Sequence, residues 1–221
     1  MPYLLYVVSA AALAAALLGT LIRAYVGRFN GNIRVVDPGQ VFRSGQLSGA
    51  RLLGFLSSRG IRAVLNLRGP VPEDATLQEE REVCRARGIV HVDLDISAKE
   101  LPSPESVEAL LDELDLLPRP LLIHCAAGSD RSGLASALYL HVQAGFPLDR
   151  ARASQLTWRY GHWPTGGARV IDHFFDLYRL SGGELPLREW VVEEYPAVYA
   201  ERREREEREA LFSTRGADGL P

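Results

Sequence analysis

Blocks of apolar positions with two different spacings alternate along this chain. Largely apolar runs over 61–67 and 121–124, a short run over 41–43 and an alternating run over 89–96 predict β-strands. Apolar residues at helical spacing predict α-helices over 48–58, 76–87, 133–144, 149–158 and 167–180, and a further helix opening at Pro104. Strands that alternate with helices predict an α/β fold with a central, mostly parallel sheet flanked by helices.

The predicted elements divide the chain into five segments. They are an apolar helix with its flank over 1–28, a turn-rich linker over 29–39, a globular domain over 40–185, a charged helix over 186–212 and a disordered tail over 213–221. The globular part is long enough to bury a full hydrophobic core. We therefore expect a single folded domain with extensions at both ends.

The first segment has the length of a membrane span. Residues 3–22 carry no charge, and about twenty residues of helix match the thickness of a bilayer's hydrocarbon core. Arg23, Arg28 and Arg34 follow the apolar run, and no Lys or Arg precedes it. The positive-inside rule then predicts an N-terminal transmembrane helix with the domain in the cytoplasm. A cleaved signal peptide is the alternative.

Charge and composition exclude several classes of function. The net charge is −3, so no nucleic-acid partner is expected. Two cysteines, Cys84 and Cys125, are too few for a disulfide framework. Cys84 falls in a helical pattern and is interpreted as a spectator, with a role as redox partner of Cys125 as the alternative. The five histidines have no spacing typical of metal ligands, so neither a metal nor a cofactor is expected.

One loop carries the candidate chemistry. Residues 124–133 read HCAAGSDRSG and lie between the apolar strand and an Ala/Leu-rich helix. Cys125 is the candidate nucleophile, because a helix N-terminus, a nearby arginine and inward amides all favour its thiolate. Arg131 offers a planar fork of donors to phosphoryl oxygens. The predicted phosphate-binding residues are Ala126, Ala127, Gly128, Ser129, Asp130, Arg131 and Ser132.

The spacing Cys-x5-Arg followed by Ser132 resembles the protein tyrosine phosphatase superfamily. The similarity extends over about 40–178 and is closest to compact dual-specificity-like and bacterial tyrosine phosphatases; the segments 41–46 and 63–68 resemble their opening strands. The resemblance implies hydrolysis of phosphate monoesters through a cysteinyl-phosphate, without metal or cofactor. It also implies that His124 orients the loop rather than reacting.

The resemblance further implies an aspartate that protonates the leaving group from a loop about thirty residues before the cysteine. Asp95 lies thirty residues before Cys125 and Asp93 thirty-two; we predict Asp95, which is nearer to the loop. Asp130 is the second candidate, as acid or as a brace for the loop, because myotubularin-type lipid phosphatases also have an aspartate directly before the arginine. Glu100 is a third candidate.

The substrate has more than one interpretation. A phosphorylated protein is the main prediction, and a phosphoinositide or other phospholipid at the membrane is the alternative. The predicted anchor and Asp130 favour the lipid, whereas Ala126, Ala127 and Ser129 replace the lysines that would grip a polyphosphorylated headgroup. An inactive phospho-binding module is a third interpretation. The aromatic segment 158–164 either lines the rim of the pocket or packs beneath the loop.

Overall fold

The computed structural model describes residues 2–28, 31–181 and 185–217. The strands in these ranges are β1 (Arg34–Asp37), β2 (Val41–Ser44), β3 (Ala63–Asn66), β4 (Val90–Asp93) and β5 (Leu121–His124). The helices are α1 (Pro2–Arg28), α2 (Gly49–Ser58), α3 (Ala75–Ala86), α4 (Pro104–Leu116), α5 (Asp130–Val142), α6 (Leu148–Gln155), α7 (Arg169–Ser181), α8 (Leu187–Glu193) and α9 (Tyr195–Ala217). Short 3-10 helices cover Trp158–Tyr160 and Gly166–Ala168.

The strands form one mixed sheet in the order β1-β2-β5-β3-β4. The pairs β2–β5, β5–β3 and β3–β4 are parallel, as predicted, and only the edge strand β1 runs antiparallel to its neighbour. His124 at the end of β5 is level with Ser44 on one side and Asn66 on the other. The carboxyl ends of the three central strands therefore meet at one edge, where ligands bind in open α/β sheets.

Two hydrophobic cores lie on opposite faces of this sheet. Successive residues of β5 point to opposite cores. Leu121 and Ile123 belong to the larger core, and Leu122 belongs to the smaller one. The larger core is built from α4, α5, α7 and α8, and it includes Cys125. The smaller core is built mainly from α2 and contains Cys84 of α3. The two cysteines are thus on different sides of the sheet.

The segment predicted as a linker over 29–39 contains part of the folded domain. β1 pairs with β2, and Asn32, just before β1, is completely buried. The turn residues around it, Gly31 and Gly39, both have positive φ, so the local turn chemistry was read correctly. The strand was not recognised because β1 is a short edge strand whose residues are only partly buried.

The C-terminal segment also differs from the prediction of one helix over 186–212. α8 and α9 replace it, with Glu194 between them. Burial explains the break, because Trp190 of α8 and Tyr195 of α9 stack with ring centroids 4.6 Å apart inside the larger core. α9 continues to Ala217, beyond the predicted start of the disordered tail at 213, and residues 218–221 lie outside the described ranges.

The predicted transmembrane anchor is wrong. α1 is a helix over the predicted span, but no helix within the described ranges combines the length and hydrophobicity needed to cross a bilayer. The prediction rested on the length and the lack of charge of the run over 3–22, and these properties indicate a helix but do not by themselves establish a membrane span. The predictions of a membrane localisation and of a membrane partner depended on this anchor and are not supported either.

Candidate active site

The loop over 125–129 connects the end of β5 to the first turn of α5. Cys125 begins it and is only 3% exposed. Gly128 gives it its tight curvature, with φ +69°, a conformation that glycine adopts without steric cost. A Cβ at this position would lie 2.4 Å from the Gly45 nitrogen and 2.5 Å from the Ser44 carbonyl carbon. The loop is therefore seated directly on the backbone that follows β2.

The outer side of the loop is held by donors from the N-terminal part of the domain. The Gln46 backbone N–H donates to the Ala126 carbonyl at 3.1 Å. The side-chain amide of Asn32 donates to the carbonyls of Ala127 at 3.1 Å and Gly128 at 2.8 Å. Each of these carbonyls is thus turned toward the body of the protein.

Arg43 of β2 completes this support from a fully buried position. Its guanidinium donates to the carbonyls of Gly128 at 2.8 Å and Ser129 at 2.7 Å, and to the Gln155 carbonyl at 2.8 Å. Burial lowers the pKa of Arg43 to about 10, with the charge of Cys125 acting in the opposite direction. Arg43 is therefore a cation at neutral pH, placed behind the loop.

These contacts fix the direction of the loop's amides. The peptide bonds of this segment are trans, and in a trans peptide the N–H points opposite to the preceding carbonyl. Because the carbonyls of residues 126–129 are held from behind, the N–H groups of residues 127–130 point to the other side. Such a row of amides forms a concave anion-binding site.

Cys125 lies where this arrangement favours its thiolate. Burial opposes ionisation, but the Arg131 charge and hydrogen bonds from Ser132 and the Gly128 backbone outweigh it, so the pKa of Cys125 is lowered. The Ser132 hydroxyl also lies 3.4 Å from the Ser44 carbonyl. The predicted nucleophile, arginine and hydroxyl are thus brought together as the sequence suggested.

Arg131 connects the loop to the neighbouring strands. Its guanidinium donates to the Leu67 carbonyl at 3.1 Å and lies 3.4 Å from the Ile96 carbonyl. Leu67 directly follows β3, and Ile96 directly follows Asp95, the predicted acid. The contacts orient the arginine and also hold the segment that carries Asp95 beside the loop.

The candidate acids have very different surroundings. Asp95 is exposed, and no hydrogen bond or ion pair joins its carboxylate to another described residue. Asp93 is fixed instead, since Arg81 approaches its carboxylate at 2.8 Å and Asn66 donates to it at 2.7 Å. Glu100 is exposed on the segment after β4. Asp95 is therefore the carboxylate that directly precedes a residue in contact with Arg131 and that makes no hydrogen bond or ion pair with another described side chain.

Asp130 is bound to a histidine that the sequence analysis did not single out. Asp130 Oδ1 lies 2.8 Å from Nδ1 of His162, and His162 Nε2 lies 2.8 Å from Asp172 Oδ2. The prediction that Asp130 is either an acid or a brace thus gains a specific partner. The aromatic segment 158–164 supplies that partner, and the Tyr160 carbonyl accepts from Asn32 at 2.7 Å, so part of this segment packs against the loop.

Two further histidines share one buried carboxylate. Glu80 Oε1 lies 2.8 Å from Nε2 of His124 and 3.0 Å from Nε2 of His91. These three residues are the potential metal-ligand group found among the described residues, with donor atoms within 4.8 Å of one another. Hydrogen bonds account for the arrangement, because both ring nitrogens approach the same oxygen. The contact fixes the ring that precedes Cys125.

Cys84 has the properties of a structural residue. Burial raises the pKa of its thiol to about 12, with a further contribution from the Glu80 charge. The thiol form is therefore dominant at neutral pH, in contrast to Cys125. This agrees with its interpretation as a spectator in the smaller core.

Sequence reasoning missed Asn32, Arg43 and His162 as contributors to the site. Arg43 lies in a stretch that the family resemblance covered, and its charge inside an otherwise apolar strand was an available signal. Asn32 and His162 offered no local signal. The contacts of Asn32 with the loop join residues 95 and 96 positions apart in the chain, and the contact of His162 with Asp130 joins residues 32 positions apart.

Comparisons with solved structures find similar folds. TpbA from P. aeruginosa is 19% identical, with 77% of this chain and 92% of that chain covered and a TM-score of 0.54. SIW14 from S. cerevisiae, described as a PP-IP phosphatase, is 18% identical, with 70% and 94% covered and a TM-score of 0.52. A putative phosphatase from Shewanella putrefaciens is also 18% identical, with 72% and 95% covered and a TM-score of 0.53. At these identities the likeness concerns the fold.

The comparison with curated proteins finds no match. A family model described as the tyrosine phosphatase family matches residues 25–151, which is more than half of the chain and includes the whole loop. The expected recognition is thus confirmed at the level of the family. The chain belongs to the tyrosine phosphatase family and is a cysteine-based phosphatase that hydrolyses phosphoric monoesters.

Proposed function

We propose that this chain is a protein phosphatase acting on phosphotyrosine and on phosphoserine or phosphothreonine, with Cys125 as the nucleophile. The observation that carries the proposal is the loop that follows this cysteine. The pKa of Cys125 is lowered, and the loop carbonyls are held from behind by Asn32 and Arg43. The loop thus favours the attacking thiolate and directs its amides toward the phosphoryl oxygens.

In the first half-reaction, the Cys125 sulfur forms a bond to phosphorus with its own electron pair. The bond between phosphorus and the ester oxygen breaks, and its electrons remain on that oxygen. Arg131 and the loop amides donate to the phosphoryl oxygens, where the negative charge is concentrated. Asp95 in its protonated form transfers its proton to the departing oxygen.

In the second half-reaction, water attacks the phosphorus of the cysteinyl-phosphate. The Asp95 carboxylate accepts a proton from that water, and the bond between phosphorus and sulfur breaks with its electrons returning to sulfur. Ser132 contributes to Cys125 ionisation by hydrogen bonding, and the same contact stabilises the departing thiolate. The products are inorganic phosphate and the free hydroxyl compound, and the enzyme returns to its starting state.

The assignment of the acid rests on the neighbours of each carboxylate. Asp95 precedes Ile96, whose carbonyl lies 3.4 Å from the Arg131 guanidinium, so the segment that holds the acid is adjacent to the arginine. Asp130 Oδ1 lies 2.8 Å from His162 Nδ1, so this carboxylate is already engaged with another side chain.

A protein substrate is favoured by the side chains of the loop. Ala126, Ala127 and Ser129 follow the nucleophile, and none of them adds a positive charge for the further phosphates of a polyphosphorylated headgroup. One solved structure of TpbA holds phosphotyrosine, and SIW14 is described as a PP-IP phosphatase. The substrate test therefore includes both kinds of compound.

The substrate is tested by measuring phosphate release from a panel of compounds. It comprises a phosphotyrosine peptide, a phosphothreonine peptide, inositol hexakisphosphate, an inositol pyrophosphate and a short-chain phosphoinositide. We expect kcat/KM for the phosphotyrosine peptide to exceed that for each inositol compound at least tenfold. Cys125→Ser is the control and should abolish turnover, because a hydroxyl is a far weaker nucleophile at neutral pH. A higher kcat/KM for an inositol compound would overturn the assignment.

The acid is tested by varying the leaving group. Asp95→Asn should slow hydrolysis of alkyl phosphates by about 10²–10⁴-fold, the usual contribution of a general acid. It should slow an ester of an acidic phenol far less, since that leaving group needs little protonation. Asp130→Asn is the matched comparison. If Asp130→Asn shows this leaving-group dependence and Asp95→Asn does not, the acid is Asp130.

A further inference from the structure

Asp130 is an unexpected residue in an anion-binding loop. It directly precedes Arg131 and opens α5, and its side chain is only 15% exposed. A carboxylate at this position has the same sign of charge as a bound phosphoryl group and competes with it for the arginine. The loop therefore requires an interaction that holds the Asp130 carboxylate away from the substrate.

His162 provides this interaction. The left-handed Gly161, with φ +79°, turns the chain after the 3-10 helix and brings the imidazole into a position that is 2% exposed. Asp130 Oδ1 lies 2.8 Å from one ring nitrogen, and Asp172 Oδ2 lies 2.8 Å from the other. The ring thus bridges the loop and α7.

The geometry defines the charge of the ring. A neutral imidazole has one N–H donor and one acceptor nitrogen, whereas an imidazolium has two donors. Each nitrogen of His162 faces a carboxylate oxygen, so both must donate. Burial lowers the pKa of His162, but the bonds to Asp130 and Asp172 prevail and raise the pKa to about 9.

The distal carboxylate is anchored in turn. Asp172 Oδ1 accepts from Arg152 of α6 at 2.9 Å, and Arg152 also donates to Asp176 at 2.6 Å. The charged groups around His162 therefore come from three elements: Asp130 from α5, Asp172 from α7 and Arg152 from α6. The row runs from the surface of the protein to the residue before Arg131.

We propose that His162 is a positioning residue for phosphate binding: its imidazolium pairs with Asp130, holds that carboxylate away from the substrate and leaves Arg131 to the phosphoryl group. The inference rests on the proposed phosphate site in the loop. His162 itself touches no substrate and exchanges no proton in the reaction. Its effect is carried by Asp130, so removing the carboxylate removes the need for the histidine.

This dependence on Asp130 distinguishes the proposed role of His162 from a merely structural one. The variants are His162→Gln, Asp130→Asn and the double variant, and the probe is tungstate, a tetrahedral oxyanion that stays dianionic across the pH range used. His162→Gln should weaken inhibition by tungstate at least tenfold in the wild-type background. In the Asp130→Asn background, His162→Gln should weaken inhibition by tungstate less than threefold. Equal losses in both backgrounds, or a loss below twofold in the single variant, would overturn the proposal.

A second variant covers the case in which His162→Gln does not fold. Asp172→Asn removes the distal carboxylate, so the pKa of His162 falls from about 9 toward its ordinary value of 6.5. Because the pKa of His162 is raised in the folded protein, the effect of its charge is fully present below the ordinary pKa. That effect is lost as the pH rises through the raised pKa. Tungstate affinity in Asp172→Asn should thus begin to fall at lower pH than in the wild type. Identical pH profiles would contradict the proposal.

The controls separate this inference from the proposed function. His141→Gln replaces a histidine that interacts with the Phe146 carbonyl instead of the loop, and its tungstate affinity should stay within twofold of wild type. Hydrolysis by the wild type and its loss in Cys125→Ser report on the function alone. Additive His162 and Asp130 effects in an enzyme that passes this check would refute the inference and leave the function intact.

Discussion

The replacement of Gly128 by alanine isolates the contribution of loop geometry to catalysis. Gly128 has φ +69°, and the added Cβ would lie 2.4 Å from the Gly45 nitrogen and 2.7 Å from the Ser44 carbonyl oxygen. Both contacts are with backbone, which has no alternative rotamer to adopt. The loop must therefore move away from the strand that supports it.

The size of the effect follows from two contributions. An alanine in the left-handed region costs about 1–2 kcal/mol, and forcing atoms into a packed region costs about 1–3 kcal/mol more. A loop that moves to relieve this strain shifts the amides of residues 128–130. Loss of one preorganised donor lowers kcat by about 10²–10³-fold, so we expect Gly128→Ala to lose at least that factor in kcat/KM.

Gly145→Ala is the matched control for this variant. Gly145 has nearly the same φ, +71°, but no heavy atom lies within 4 Å of the position that an added Cβ would take. It should be destabilised by about 1–2 kcal/mol with an unchanged kcat/KM. The assay is hydrolysis of p-nitrophenyl phosphate, with thermal unfolding in parallel. Gly128→Ala activity within threefold of wild type, or an equal loss in Gly145→Ala, would refute the reasoning.

Two further predictions concern the buried charges around the loop. Arg43→Met keeps most of the length of the side chain but removes one of the two donors from each of the Gly128 and Ser129 carbonyls, which retain the Asn32 amide and the Gly133 N–H; we expect a loss of about 1.5–3 kcal/mol per lost charge-assisted hydrogen bond in urea unfolding and at least a tenfold fall in kcat. Glu80 is buried, which alone would raise its pKa, but the charges and hydrogen bonds of its two histidines lower the pKa from 4.5 to about 2. Its contribution, on the order of 3 kcal/mol, is present above pH 4.5 and lost as the pH falls toward 2. The free energy of unfolding in urea should therefore fall less in Glu80→Gln than in the wild type as the pH is lowered over this range. An equal fall in both proteins would contradict the stabilising role of the Glu80 carboxylate.

Local patterns predicted the elements that hold the nucleophile. The wholly buried strand before Cys125 and the helix after it agree with their apolar spacing, because the strand packs in both cores and the helix packs in the larger one. The spacing between Cys125 and Arg131 is a property of one loop, so it could be read directly from the chain. Contacts between distant segments could not be read in this way, and Arg43 and His162 reach the loop only in the folded molecule.

The error at the N-terminus has a different origin. The apolar residues over 3–22 do form a helix, so the periodicity and the absence of breakers were read correctly. The length and the lack of charge of this run were taken as sufficient for a membrane span. Its alanines and leucines favour helix strongly, but helix formation and membrane insertion are separate questions for this segment.

The position of the two cysteines on opposite faces of the sheet determines how the enzyme responds to peroxide. A low-pKa thiolate such as that of Cys125 is oxidised readily to a sulfenic acid. Cys84 is packed in the smaller core and kept protonated, and the sheet separates it from Cys125, so it cannot close a protective disulfide. A sulfenic acid on Cys125 is then resolved either by a backbone nitrogen, as a sulfenamide, or by an external thiol. Since Cys125 is only 3% exposed, a small external thiol has readier access to it than a thiol carried on another protein.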